Sequence, residues 1–208
     1  YDFEEGTLVF LAPNQVASFA DPIEELDDSG WTIVFHPDLI RKSSLAKDIK
    51  NFSFFNYEMN EALHLSNKEK QFLISLVEKI DQEINQNLDK HSQELIIHNL
   101  ETILKYSNRY FDRQFFTRSN INKDVVSKFE EFLNNHFSST EFSTEGIPSI
   151  KQCGESLNMS GAYLSDLLKI ETGKSALDHI HIHLIEKAKN ALLGSEASIS
   201  EVAFNLGF

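Results

Sequence analysis

The spacing of apolar residues changes once along this chain, from strand-like near the start to helical in the remainder. Up to about residue 58, short apolar runs alternate with turn signals: Thr7 to Ala12 before Pro13-Asn14, Gln15 to Phe19 before the acidic stretch Asp21 to Asp28, and Trp31 to His36 before Pro37. Runs of this length, rich in β-branched and aromatic residues and bounded by breakers, predict antiparallel strands, with a fourth candidate at Phe54 to Tyr57. Three or four strands cannot close a barrel and would leave edges unpaired, which favours a missing N-terminal half.

From Ser66 the helical spacing takes over. Ser66 and Glu69 stand at capping-box spacing, and Phe72, Leu73, Leu76, Val77, Ile80 and Ile84 then fall on one helical face. A second helix is predicted from about Ser92, with Leu95, Ile96, Leu100, Ile103, Leu104 and Phe111 as its stripe. The polar turn at Leu88 to His91 makes the two helices antiparallel neighbours. Asp112 to Asn122, polar and arginine-bearing, reads as a linker. Val125, Val126, Phe129, Phe132, Leu133 and Phe137 mark a third helix, and Ser138 to Pro148 reads as a hinge.

The last sixty or so residues contain an internal repeat. Ser149-Ile150-x-Gln152-x-Gly154-x-x-Leu157-Asn158-Met159 is matched, 49 positions on, by Ser198-Ile199-x-Glu201-x-Ala203-x-x-Leu206-Gly207-Phe208. Each copy opens with a capping box. A tiny residue follows, Gly154 or Ala203, where a second helix must cross closely, and then Asn158 or Gly207, residues that tolerate the left-handed backbone of a sharp turn. The pattern predicts the first half of a helix-turn-helix, twice. In the first copy Ser160 caps the second helix, which ends at Gly173. Leu164, Leu167 and Leu168 are expected inside; Gly161, Ala162, Ser165, Asp166 and Lys169 are expected outside. Ser175 to Leu193 is then a long spacer helix ended by Gly194, with Leu177, Ile180, Leu184, Ile185, Ala188 and Leu192 buried. Two such units on a rigid spacer would set recognition helices into successive turns of a DNA major groove.

Charge qualifies that picture. The chain of 208 residues carries a formal net charge of −13, and DNA affinity draws largely on Lys and Arg at phosphates. Residues 1–145 hold 14 Lys and Arg against 25 Asp and Glu, whereas residues 146–208 hold 5 against 7. The repeat region is near neutral, and the acidity lies elsewhere. One cysteine, Cys153, excludes an internal disulfide framework; no apolar run reaches membrane-spanning length and no export leader is present, so a cytoplasmic location is expected.

The segments YLSDLLKIETGKS at 163–175, LIEKAKNALL at 184–193 and SISEVAFNLGF at 198–208 resemble the AraC/XylS family of bacterial transcription regulators. The N-terminal part is similar, more weakly, to that family's sensor region, a cupin-like jelly roll followed by helices that often dimerise. The resemblance implies an α+β chain in three parts: a partial cupin-like antiparallel sheet at 1–65, a helical dimerisation and linker region at 66–145, and an all-α DNA-binding domain at 146–208. It implies double-stranded DNA as partner, a small-molecule effector in the N-terminal domain, and a homodimer. The DNA-binding residues would be Ser160, Gly161, Ala162, Tyr163, Ser165, Asp166 and Lys169, with Ala162, Ser165 and Asp166 reading bases and Tyr163 and Lys169 near the backbone. Gly154, Asn158, Ala203 and Gly207 would hold the helix-turn-helix geometry. Many relatives carry bulky, amide or basic residues at the three reading positions, so readout here would be partly apolar or water-mediated. The second recognition helix would lie beyond Phe208.

Other chemistry is sparse. His179 and His183, four apart on a helix, could share a metal, but no Cys or carboxylate clearly joins them, and a structural role is the simpler reading. His36 and His64 lack partners at ligand spacing. No nucleophile elbow, phosphate loop or metal motif is present, so neither an enzyme nor a cofactor is expected. Phe3, Phe10, Phe19, Trp31, Phe35, Phe52, Phe54, Phe55 and Tyr57 could line a small-molecule pocket, although core packing explains them equally well. The competing function is a dimeric ligand- or partner-binding module that never touches DNA.

Overall fold

The computed structural model describes residues 6–15, 30–139, 142, 146–194 and 198–206. It is mostly helical with one small antiparallel sheet, an α+β arrangement. The chain divides into two compact units: residues 1–55 with 62–110, and residues 56–61 with 111–208.

In the first unit, β1 (Gly6–Leu8) pairs antiparallel with β2 (Leu63–Leu65), in the register Gly6 to Leu65 and Leu8 to Leu63. Leu63 and Leu65 are buried, and the described residues between the strands include several short helical turns. These include α1 (Pro37–Ile40), α2 (Leu45–Asp48) and 3₁₀ turns at Ile49–Asn51 and Ser53–Asn56. The strand expectations at Trp31 to His36 and Phe54 to Tyr57 are therefore corrected: the first has no regular secondary structure and the second is largely 3₁₀. Apart from Gln15, the run Gln15 to Phe19 lies outside the described residues. The aromatic residues are drawn into packing rather than pleating. Phe54 is buried with its ring centroid 4.3 Å from Phe10, 5.3 Å from Phe52 and 5.1 Å from Phe55, a cluster that a helical turn gathers and an extended strand would distribute over two faces.

Two long helices follow. The Ser66 capping box forms as the spacing required and opens α3 (Asn67–Asn85), which buries Leu73, Leu76 and Ile80 and leaves Ile84 exposed. Asp89 accepts from the backbone N–H groups of His91 and Ser92 and starts α4 (Ser92–Thr117). Phe72 meets Tyr106 at 4.5 Å between ring centroids, which joins α3 to α4. Leu95, expected in the α4 stripe, is exposed, and Ile97 is buried in its place.

The polar stretch read as a linker is helical: α4 continues to Thr117 and α5 (Ser119–Ser138) begins two residues later. Phe111 and Phe115 are buried on it, and the Asn122 side chain donates to the Phe115 carbonyl at 2.7 Å and to Glu171 at 3.0 Å. Polarity misled because its polar groups find tertiary partners rather than water. The hinge at Ser138 to Pro148 is only partly described, but Phe142 within it is buried against Phe137.

The second unit is built around α6 (Ile150–Ser156), α7 (Gly161–Thr172), α8 (Ala176–Gly194) and α9 (Ile199–Asn205). Phe129, Leu133 and Phe137 of α5 pack with Cys153, Leu164, Leu168, Ala176, Ile180, Leu184, Val202 and Leu206 in one core. Cys153 is fully buried, and desolvation pushes its thiol up to about 11, so it behaves as a small apolar residue. The spacer helix buries Ile180 and Leu184 and packs Ala188 on the core as expected, but Leu177, Ile185 and Leu192 are exposed and Ala176 and His179 are buried instead. His179 is turned toward a carboxylate of α5, Glu130.

Among the described glycines, Gly154 has the closest neighbours. A Cβ there would lie 2.6 Å from the Met159 carbonyl oxygen and 2.7 Å from the Gly161 nitrogen, both backbone atoms that cannot swing aside. Gly154→Ala is expected to destabilise the second unit by about 1–3 kcal/mol through overpacking, and Gly154→Leu by more. Urea denaturation of each variant checks the order; a Leu variant that melts with the parent would show that the crossing is not tight.

Candidate nucleic-acid interface

The bend between α6 and α7 follows from local chemistry. Ser149 accepts from the Gln152 N–H while Gln152 accepts from the Ser149 N–H, so the capping box closes. After the close approach at Gly154, Asn158 takes a left-handed backbone with φ of 57°, the conformation for which an amide side chain is suited. Ser160 then caps α7, its hydroxyl accepting from the Tyr163 N–H at 3.1 Å. Gly161 is also constrained, though less than Gly154: a Cβ on it would stand 2.9 Å from the Ile150 carbonyl oxygen. Gly173, with φ of 76°, closes the helix.

The second copy repeats the opening step. Ser198 and Glu201 form a full capping box on α9, Val202 and Leu206 enter the core, and Ala203 is half-buried. Gly207 lies outside the described residues.

The outer face of α7 is not the open surface that the sequence led us to expect. Of the residues assigned to DNA contact, only Lys169 is well exposed. Gly161 is packed on Ile150, and Ala162 is half-buried. Ser165 lies under the start of α8, its hydroxyl accepting from the Ala176 N–H at 3.4 Å. Tyr163 is buried, with its ring centroid 4.8 Å from Phe115 and 5.2 Å from Tyr57. Burial pushes its phenol above the ordinary tyrosine range, with Arg118 and Gln114 as hydrogen-bond partners that partly offset the rise.

The covering comes from residues 56–61, which belong to the same compact unit. The Tyr57 hydroxyl donates to the Asp166 carboxylate at 2.6 Å. Glu61 is buried, and its two carboxylate oxygens accept from the Ser160 backbone N–H and the Ser160 hydroxyl, each at 2.6 Å. One of them also accepts from the Glu58 N–H at 2.7 Å. A carboxylate at a helix N-terminus meets unsatisfied N–H groups and the positive end of the helix dipole. Ser160 thus relays between them, accepting from α7 and donating to Glu61. Desolvation first, and the nearby Asp166 charge second, raise the Asp112 carboxyl above its ordinary range.

The histidine pair has a carboxylate partner after all. Glu130 of α5 reaches His179 Nδ1 at 2.6 Å with one oxygen and His183 Nε2 at 2.8 Å with the other. The opposite ring nitrogen of His179 lies 2.9 Å from the Thr172 hydroxyl. These are hydrogen-bond separations, and among the described residues no group of three or more His, Cys, Asp or Glu has the arrangement to hold a metal ion. Glu130 thereby gives the inward-turned histidines of α8 a shared hydrogen-bond partner.

Sequence reasoning found the caps, the turn and the histidine spacing. It named Tyr57 only as a possible pocket residue and missed Glu61, Glu130 and Phe115, whose side chains meet partners tens of residues away and carry no local signal. No family model, curated protein or solved structure matches the chain.

Glu130→Ala leaves the buried His179 and the half-buried His183 imidazoles without their shared carboxylate partner. It is expected to cost about 1–3 kcal/mol, the penalty for stranding buried polar groups. Urea denaturation with a helical readout measures this, and a loss below about 0.5 kcal/mol would mean that apolar packing alone orients α8.

Proposed function

We propose that this chain is part of an AraC-type, DNA-binding transcription regulator, in which α6 and α7 form the first helix-turn-helix and α9 begins the second. The observation that carries this reading is the pair of capping boxes at Ser149/Gln152 and Ser198/Glu201, held on either side of the 19-residue helix α8. The left-handed Asn158 and the backbone approach at Gly154 give the first unit the sharp bend that such a motif requires. In this reading α7 is the recognition helix, Lys169 lies close to phosphates, and a small-molecule effector acts through the N-terminal part of the chain. The protein works as a homodimer, with α3 and α4 the proposed dimerisation helices.

A second reading, a binding module that does not engage DNA, draws on the net charge of −13 and on the occupied outer face of α7. Titration against the DNA upstream of its own gene separates the two. A regulator prefers that duplex to a scrambled one, and its affinity falls linearly on a log–log plot as salt rises. No binding to either duplex, or no preference between them at any salt concentration, favours the module.

Lys169→Ala is expected to weaken binding alike on matched and scrambled duplexes and to reduce the salt slope by about one, the signature of a lost phosphate contact. A loss confined to one base position would reassign Lys169 to base reading. Among the described residues no helix is long and apolar enough to cross a membrane.

A further inference from the structure

We propose that residues 56–61 are an intrachain lock on α7, engaging the groups with which that helix would meet DNA and thereby setting the protein's DNA affinity. The inference rests on the DNA-binding reading above and deepens it by naming how the site is held off.

The lock has two points of attachment. At the helix start, Glu61 takes the Ser160 N–H and hydroxyl, each at 2.6 Å. A helix N-terminus is where a DNA phosphate would be received, because free N–H groups and the dipole both attract an anion there. A carboxylate and a phosphate compete for that position, and only one can hold it. Further along, Tyr57 lays its ring against Tyr163 and donates to Asp166 at 2.6 Å. Base reading by a recognition helix uses residues of its first turns, and Tyr57 engages one of the proposed readers there, Asp166, together with the neighbouring Tyr163.

Glu61 is not needed to start the helix. Ser160 already supplies the local cap by accepting from Tyr163, and the helices α6, α8 and α9 of this unit begin on Gln152, Asp178 and Glu201 paired with a serine three residues earlier in their own sequence. Only α7 recruits a carboxylate from 99 positions away. The segment is also suited to leaving. Glu58, Met59 and Asn60 are exposed, and Met59–Glu61 is a single 3₁₀ turn. It enters from Phe55 and leaves into Ala62, both assigned to the other compact unit, so the chain itself ties the lock to the part proposed to take the effector. If binding requires an undocked segment, the apparent dissociation constant rises by the inverse of the undocked fraction.

The test measures DNA affinity of the full chain on the upstream and scrambled duplexes for Tyr57→Phe, Glu61→Ala and the control Glu58→Ala, alongside amide exchange at Ser160. Tyr57→Phe removes one hydroxyl with no change of charge and little change of shape, so it keeps the test intact if Glu61→Ala fails to fold. Both lock variants should tighten binding, each by roughly tenfold, the scale of one charge-assisted hydrogen bond. Glu58→Ala, which deletes the same charge from the exposed side of the segment, should change it by about twofold or less, the worth of an exposed charge. Exchange at the Ser160 N–H should accelerate in Glu61→Ala. Equal gains from Glu58→Ala and Glu61→Ala with none from Tyr57→Phe would reduce the effect to general repulsion and overturn the lock. A parent that binds DNA with no variant binding tighter would overturn it too. If neither parent nor variants bind either duplex at low salt, the regulator reading fails and the lock falls with it, whereas an accelerated Ser160 exchange would still show that the segment docks.

Discussion

The organisation of the second unit depends on a steric constraint, the contact of backbone with backbone between the end of α6 and the start of α7. Gly154 and Gly161 face each other's neighbouring backbone at separations where no Cβ fits, and Asn158 supplies the left-handed residue that lets the chain reverse between them. Hydrophobic burial is non-directional and could have packed these helices at many angles. The absence of two β-carbons selects one. Once the bend is set, Leu164 and Leu168 are aimed at the α5 core, and the other side of α7 is presented to whatever covers it.

What covers it is polar as well as apolar, and this distinguishes the face from an ordinary buried surface. Tyr163 contributes ring area between Tyr57 and Phe115, but Ser160 and Asp166 are satisfied by hydrogen bonds from residues far away in sequence. Buried polar groups need such partners, and those partners come from one short segment, residues 56–61. The same rule explains the spacer helix. Glu130 requires donors, and the inward-turned His179 and His183 of α8 provide them, while Leu177 and Ile185 stay in solvent.

Legibility followed the range of the interaction. Capping boxes at Ser66, Ser149 and Ser198, the stop at Gly173 and the turn at Asn158 were readable because each is closed within a few residues. The N-terminal strands were read less well: β-propensity reports a half-buried surface rather than a backbone preference, and the aromatic run around Phe54 satisfied the same burial through 3₁₀ turns. The Asp112 to Asn122 segment failed for the converse reason, since its polarity reflects tertiary partners such as the Phe115 carbonyl and Glu171 for Asn122.

The sequence by itself determined where the later helices begin and end and that one of them must be crossed at a tiny residue, because those outcomes follow from local sterics and from backbone groups satisfied nearby. Only the tertiary structure decided which face of α7 is open, which face of α8 is buried and what Glu61 and Glu130 do. Those depend on charges and rings brought together across 49 to 109 positions, and a one-dimensional pattern holds no record of which distant acid will meet which helix.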